Sequence, residues 1–274
     1  MSLYLQDHSG SEARSNLSDK YTERLFSIRS LPLRYLVIPK CGCTFVKNLF
    51  WRLEHGSVYP DQLRIHDADG KFERASDFGL TADAVRLEDF AFTVLRNPVE
   101  RFYSLYADKV VGNGHKKFVP LRKTLLSKYG LNGSPSQIVQ HQENCEILID
   151  WIDCNLKSDC DIKKNPHWTP QSYRKNIMGA MNLKLLLVRD LNKHLPVLLG
   201  ELVPNLTSIF AELEVNRSKK TVRMGEVLTV DLRKKINNVY REDRMLFQLT
   251  RDAWAKMDIG SNDTRVVPRF GDLI

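Results

Sequence analysis

Two short segments of the chain hold residue types that bind phosphate esters. The first is Pro39-Lys40-Cys41-Gly42-Cys43-Thr44-Phe45-Val46-Lys47-Asn48, directly after the apolar run Tyr35-Leu36-Val37-Ile38. A buried strand that turns straight into a helix leaves first-turn amides without acceptors, at the positive end of the helix dipole. Gly42 lets the backbone curl around a phosphate. Lys40 adds a mobile positive charge, and Thr44 adds a hydroxyl. The segment is not a Walker loop, because it lacks GxxxxGK[ST] and no acidic strand end stands ready for magnesium. The plain alternative is an ordinary strand–helix turn with a solvent lysine.

The second segment is Val94-Leu95-Arg96-Asn97-Pro98-Val99-Glu100-Arg101-Phe102-Tyr103-Ser104-Leu105-Tyr106. Arg96 stands at a predicted strand end, where α/β sheets place their ligands. Ser104 follows about two turns into the next helix. An arginine fork and a hydroxyl can together hold one phosphate. Arg101, on the same helix, is expected to pair with an acid.

Both segments need a strand–turn–helix frame. Tyr35–Ile38, Phe90–Leu95 and Leu183–Val188 are the three apolar runs of buried-strand type. After the first, Val46, Leu49, Phe50 and Leu53 repeat with helical period. After the second, Asn97-Pro98-Val99-Glu100 is a helix start, with Asn as cap and Pro in the first position; this helix is expected to break near Gly112-Asn113-Gly114. Ser134-Pro135-Ser136-Gln137 opens another helix through Ile138, Cys145, Leu148 and Ile149. A last long helix is expected over about Val230–Trp254. Residues 56–89 are polar without a clear period, and residues 155–175 are expected to be a polar loop. Strands alternating with helices imply an α/β fold with a mostly parallel sheet. Residues 1–30 form a polar N-terminal arm or lead-in, and residues 31–274 a single domain.

Composition narrows the partners. The chain has 274 residues, with 41 Lys+Arg against 33 Asp+Glu, a net charge of +8 and a pI near 9.2. That length supports a sizeable core without disulfides. The basic excess suits an anionic partner, with mere solubility the bland alternative. No aromatic-interleaved basic tract points to nucleic acid. No run is long enough to cross a membrane, and the polar start predicts no secretory signal. Five cysteines cannot all pair within the chain. Most are expected as reduced thiols in a reducing compartment, with a Cys154–Cys160 disulfide as an open alternative. They lack zinc-site spacing.

Taken together, the two segments resemble the donor-binding elements of sulfotransferases that use 3′-phosphoadenosine 5′-phosphosulfate (PAPS). The likeness is to the carbohydrate branch that includes the Golgi chondroitin enzymes and bacterial relatives. There the first motif reads P-K-x-x-C-T or similar, and the second R-x-P-x-E-R-x-x-S. Asn165-Pro166-His167-Trp168-Thr169-Pro170-Gln171 is similar to the branch's H-W-x-P segment. Val215-Asn216-Arg217-Ser218 and Tyr240-Arg241-Glu242-Asp243…Phe247 are similar to its N-x-S and Y-x-x-D…F pattern. The likeness runs from about 34 to 250.

The resemblance implies a P-loop-NTPase-like three-layer sandwich, PAPS as donor, PAP as product, a carbohydrate acceptor and no metal. It implies that Lys40, Cys41, Gly42, Cys43, Thr44 and Phe45 meet the 5′-phosphosulfate. Arg96 and Ser104 would hold the 3′-phosphate. Lys40 would also steady the charge that develops during transfer, and Lys47 either helps or faces solvent. Arg217, with Lys219 and Lys220, either closes over the donor or meets an anionic glycan, and a solvated charge run is the equal alternative. The base that takes the acceptor proton is His66, His167, or a carboxylate such as Asp67 or Glu54. His55 reads as a helix-end residue and His141 as a plain helix residue. Trp168 and Tyr173 either stack on a sugar or pack. A cytoplasmic setting suits the thiols, with a trimmed Golgi-luminal domain as the alternative. The competing functions are a P-loop-like nucleotide kinase and a non-catalytic nucleotide- or glycan-binding protein.

Overall fold

The computed structural model describes residues 20–88, 90–112, 116–158, 162–213, 222–257 and 267–274. Five strands form one sheet: β1 (Leu25–Ser27), β2 (Arg34–Leu36), β3 (Glu73–Arg74), β4 (Ala91–Leu95) and β5 (Lys184–Leu187), in the order β3-β1-β2-β4-β5. The strands predicted from the apolar runs are β2, β4 and β5, and they pair in parallel. Tyr35 lies opposite Phe92, and Thr93 opposite Leu185. Strands of this kind are covered on both faces, which is why they are nearly continuous apolar runs. Tyr35, Phe92, Val94, Leu185 and Leu186 are fully buried.

The sheet is mixed rather than mostly parallel. β1 pairs antiparallel with both β2 and β3. Only residues 28–33 join β1 to β2, too few for a parallel crossover. The lead-in therefore ends inside the sheet, with Leu25 buried in the core.

Six helices matter below: α1 (Cys43–His55), α2 (Pro98–Leu105), α3 (Ile138–Lys157), α4 (Leu191–Leu199), α5 (Val230–Val239) and α6 (Arg241–Lys256). Asn97 caps α2, its side chain accepting from the Val99 amide at 2.9 Å with Pro98 in the first turn. Past Leu105 the chain widens into a π turn, Tyr106–Val110, before it leaves the helix. Residues 56–89 hold a 3-10 stretch at Gln62–Lys71 and a short helix at Ala82–Leu87. A three-residue turn has no 3.6-residue apolar period to detect.

The expected long final helix is two helices. Tyr240 leaves helical geometry at φ −106 and ψ 41, and its buried hydroxyl donates to the Trp168 carbonyl at 2.7 Å. That tertiary bond breaks a pattern that is periodic on both sides of it.

The apolar interior has two parts. One is the sheet with α1, α4 and α6. The other is helical, joining Phe102 and Tyr106 to Trp151, Trp168 and Ile236 from α2, α3 and α5 and the segment after Pro166.

Candidate active site

The turn from β2 into α1 is tight and specific to its residues. Gly42 has φ +74, and a Cβ there would stand 2.9 Å from Val188 Cγ2 and 3.1 Å from Leu191 Cδ1. Both the conformation and the close approach require glycine. Lys40 also has positive φ, 69°, which costs a non-glycine residue about 1–2 kcal/mol. No side chain caps α1, so its first-turn amides at residues 42–45 point outward without intrahelical acceptors. Phe45 packs edge-on against Phe210 at 5.4 Å.

Arg96 locks the second segment onto the first. Its Nη1 donates to the Lys40 carbonyl at 3.0 Å. Among the described residues its buried Nε–H has no hydrogen-bond acceptor, and it lies 3.8 Å from Glu100 Oε2. Ser104 is half-buried on α2. Among the described residues Arg101 pairs with no acid. It is 3% exposed and donates to the carbonyls of Pro39 (3.1 Å), Thr169 (2.9 Å) and Pro166 (2.7 Å). Carbonyls satisfy the guanidinium without leaving a buried carboxylate to neutralise.

Gln171 ties the same pieces from the far side. Its Oε1 accepts from the Arg96 amide (2.9 Å) and the Cys41 thiol (3.1 Å), and its Nε2 donates to the Arg96 carbonyl (2.9 Å). Asp243, buried in α6, accepts from the Gln171 and Ser172 amides at 2.8 Å each. Trp168 is buried and donates to Asn155 Oδ1 at 2.8 Å, so it packs and does not face a sugar. Tyr173 is 55% exposed. Burial pushes the Cys41 thiol up to about 12, which leaves it inert as a nucleophile.

A cationic wall faces this turn. Lys40 Nζ lies 2.5 Å from Asp108 Oδ2, and Lys109 Nζ lies 3.1 Å from the same oxygen. Burial alone would raise the Asp108 carboxyl, but the Lys40 and Lys109 ammonium groups hold it at about 2. Burial lowers Lys109 itself, with Asp108 opposing. Lys47 is not a solvent lysine. It is 2% exposed and pairs with Asp69 Oδ1 at 2.5 Å.

Two of the predicted bases, His66 and His167, lie near Lys40 and Lys109 and border the space in front of the turn, and they carry their protons differently. His66 Nδ1 lies 2.9 Å from Lys47 Nζ, and its Nε2 lies 3.1 Å from Thr44 Oγ1. An ammonium only donates, so Nδ1 accepts and the neutral ring's proton is on Nε2. His167 is the reverse. Asn165 Oδ1 accepts from the His167 backbone amide at 3.0 Å and lies 2.8 Å from His167 Nδ1. The backbone donor fixes that atom as oxygen, so Nδ1 carries the proton and the Nε2 lone pair has no partner among the described residues.

Both rings stay neutral at pH 7. Desolvation and then Lys47 lower His66 to about 4, against Asp69, with Lys109 and Lys40 adding to the lowering. Burial and then Lys109, Lys40 and Arg101 lower His167 to about 3, against Asp108. The other candidates are engaged elsewhere. Asp67 pairs with Arg64, and Glu54 accepts from the Arg29 and Ser30 amides. His55 stacks on Trp51, and His141 meets the Tyr106 hydroxyl at 2.8 Å.

Arg217, Lys219, Lys220 and the Val215–Ser218 likeness lie outside the described residues, as does Cys160 and hence its pairing with Cys154. Cys41, Cys43 and Cys145 are reduced thiols. Among the described residues, no group of three His, Cys, Asp or Glu is placed to hold a metal, and no helix is long and apolar enough to cross a membrane. Sequence reasoning missed Asp108, Lys109 and Gln171. The first two follow the Arg96 segment directly, but only the π turn makes them meet. Gln171 was visible solely as the end of the Asn165–Gln171 likeness.

No curated protein and no solved structure matches the chain. Residues 24–250 match the sulfotransferase family. That span takes in the whole sheet, the Lys40 turn, the Arg96 segment and both cleft histidines, and the chain belongs to the sulfotransferase family, whose members transfer sulfuryl groups.

Proposed function

We propose that the chain moves a sulfuryl group from PAPS to a hydroxyl of a carbohydrate. The observation that carries this reading is the bond from Arg96 Nη1 to the Lys40 carbonyl at 3.0 Å. It joins two phosphate-binding segments, far apart in sequence, into one cleft. Two features fit a donor with phosphates at both ends. The first-turn amides of α1 are uncapped, and the buried Arg96 Nε–H lacks an acceptor. The amides of Gly42, Cys43, Thr44 and Phe45 hold the 5′-phosphosulfate, with Cys41 beneath them. Arg96 and Ser104 hold the 3′-phosphate, and the resemblance adds Arg217 to the donor's contacts. The fold attached to this reading is a P-loop-NTPase-like sandwich over residues 31–274, and the reduced thiols suit the cytoplasm.

The chemistry is an in-line displacement. His167 Nε2 takes the acceptor hydroxyl proton as the new O–S bond forms. The S–O bond to the PAP phosphate breaks, and PAP leaves with that electron pair. Lys40 meets the charge on the bridging oxygen. His167, at about 3, is intrinsically a weaker base than His66, at about 4, but it is the better placed of the two: its Nε2 lone pair has no partner among the described residues, whereas the lone pair of His66 is engaged by Lys47. The acceptor class rests on the likeness of four motifs to the carbohydrate branch.

Calorimetric titration with PAP, without added metal, tests the donor site. The wild type binds, and Arg96→Ala binds about a hundredfold more weakly, in line with losing a charge-assisted fork. A wild type that ignores PAP and binds ATP would replace this reading with a nucleotide kinase. Lys40→Ala then lowers transfer by roughly 10²–10³. Tight PAP binding without turnover on any sugar hydroxyl would favour a binding protein.

A further inference from the structure

We infer that Asp108 is a specificity-determining residue, an internal anion that a donor must displace from Lys40 in order to bind. The inference rests on the donor reading above and adds a partner that competes for the same ammonium.

The geometry is that of a shared oxygen. Asp108 Oδ2 lies 2.5 Å from Lys40 Nζ and 3.1 Å from Lys109 Nζ. An oxygen that close to Lys40 Nζ engages the ammonium that a phosphosulfate oxygen would need. Neighbouring residues of an α-helix do not face each other. The π turn Tyr106–Val110 changes that, and it brings Asp108 and Lys109 together on the side of Lys40. Arg122 Nη1 fixes the turn by donating to the Lys109 carbonyl at 3.1 Å.

Lys109 makes the exchange feasible. Stripping a partly buried carboxylate of every cation leaves its charge uncompensated. Asp108 keeps Lys109 when Lys40 moves to the donor, so the carboxylate is not stranded. With two cations to one anion, the cluster keeps a net positive charge. A multiply charged phosphosulfate therefore outcompetes Asp108, while a weakly charged anion does not.

The arrangement recurs earlier on the same helical run. Glu100 on α2 reaches Arg96 Nε with Oε2 at 3.8 Å, and its Oε1 pairs with Arg189. Both cations assigned to the donor thus share a carboxylate with a second cation outside the donor path.

A double-mutant cycle read by PAP calorimetry tests this. Asp108→Asn removes the competitor and tightens PAP binding about tenfold. Lys109→Gln takes the second ammonium from Asp108, ties the carboxylate more firmly to Lys40 and weakens binding about tenfold. The double variant behaves like Asp108→Asn, because Lys109 acts only through the carboxylate. Asp108→Ser, equally uncharged and smaller, tightens binding as the Asn variant does, which separates charge from loop disturbance. Weaker binding by both uncharged variants would overturn the inference and make Asp108 a scaffold for Lys40. So would an equal loss from Lys109→Gln in both backgrounds, which would make Lys109 a direct donor contact. A wild type that does not bind PAP would overturn the donor reading and this inference with it. A wild type that binds, with variants of the wrong sign, overturns this inference alone.

Discussion

The two histidine-bearing walls of the cleft hold the same side chain in opposite states. On the Gln62–Lys71 wall, His66 is pinned between Lys47 and Thr44. On the wall made by Asn165–Gln171, His167 is pinned at one nitrogen only, by Asn165. The partner's chemistry makes the difference. A lysine can only donate, and it forces a lone pair onto Nδ1. A side-chain carbonyl can only accept, and it forces a proton there. A base is therefore recognised by what its second nitrogen touches. The distance of the ring from a phosphate site says less.

The sharpest break of this comparison is a pair of substitutions. His167→Gln lowers kcat by roughly 10²–10⁴, the usual worth of a general base, and leaves PAP affinity unchanged. His66→Gln lowers kcat by less than about tenfold, because Lys47 keeps its pair with Asp69. Steady-state transfer and PAP calorimetry on both variants decide it, and the reverse ranking would return the base to the His66 wall.

The next test removes what holds the walls in register. Arg101 is buried and joins the Pro39 carbonyl on one side to the Pro166 and Thr169 carbonyls on the other. Arg101→Met keeps much of the volume and loses all three bonds. Unfolding in urea then shows a loss of about 3 kcal/mol or more, since several carbonyls lose charge-assisted donors at once. An unchanged midpoint would mean that the walls are held by packing alone.

A smaller effect isolates orientation from chemistry. Asn165→Ala leaves His167 in place and removes the acceptor that fixes its proton on Nδ1. Orienting partners of this kind are worth about 10–100-fold, and kcat falls within that range while KM for PAPS holds. Asn165→Asp keeps an acceptor at the same atom and restores most of the rate. Equal losses in the two variants would point to a loop that has simply moved.

The parts of the site legible in sequence were those whose spacing follows the backbone period. The strand–turn–helix at Pro39–Asn48 and the capped start at Asn97-Pro98 were readable because glycine, proline and cap residues act locally. The three parallel strands were readable as unbroken apolar runs. β1 and β3 were not, being strands of three and two residues whose pairing is decided by neighbours. Tyr240 and Arg101 were misjudged for one reason. Each is governed by a distant carbonyl, and no local pattern announces which carbonyl that is. Asp108 and Lys109 were visible as residues, but the π turn that unites them leaves no period in the sequence.

The finest test asks whether the walls feel different fields. His66 and His167 lie at about 4 and about 3, both below the ordinary 6.5. An unfolded chain takes up these protons below pH 6.5, whereas the folded chain does not. The two rings thus favour folding above pH 6.5, and this advantage declines as pH falls toward 4 and then 3. Lys47 lowers His66 but is not among the charges that bear on His167. Lys47→Met therefore raises His66 toward 6.5, aided by the Asp69 carboxylate that loses its partner, and leaves His167 unmoved. Lys109 bears on both rings, and Lys109→Gln raises both. Ring-proton NMR titration of the two variants reads each histidine separately. If Lys47→Met moved the two rings equally, the walls would share one field, and the distinction between a pinned ring and an open base would rest on hydrogen bonding alone.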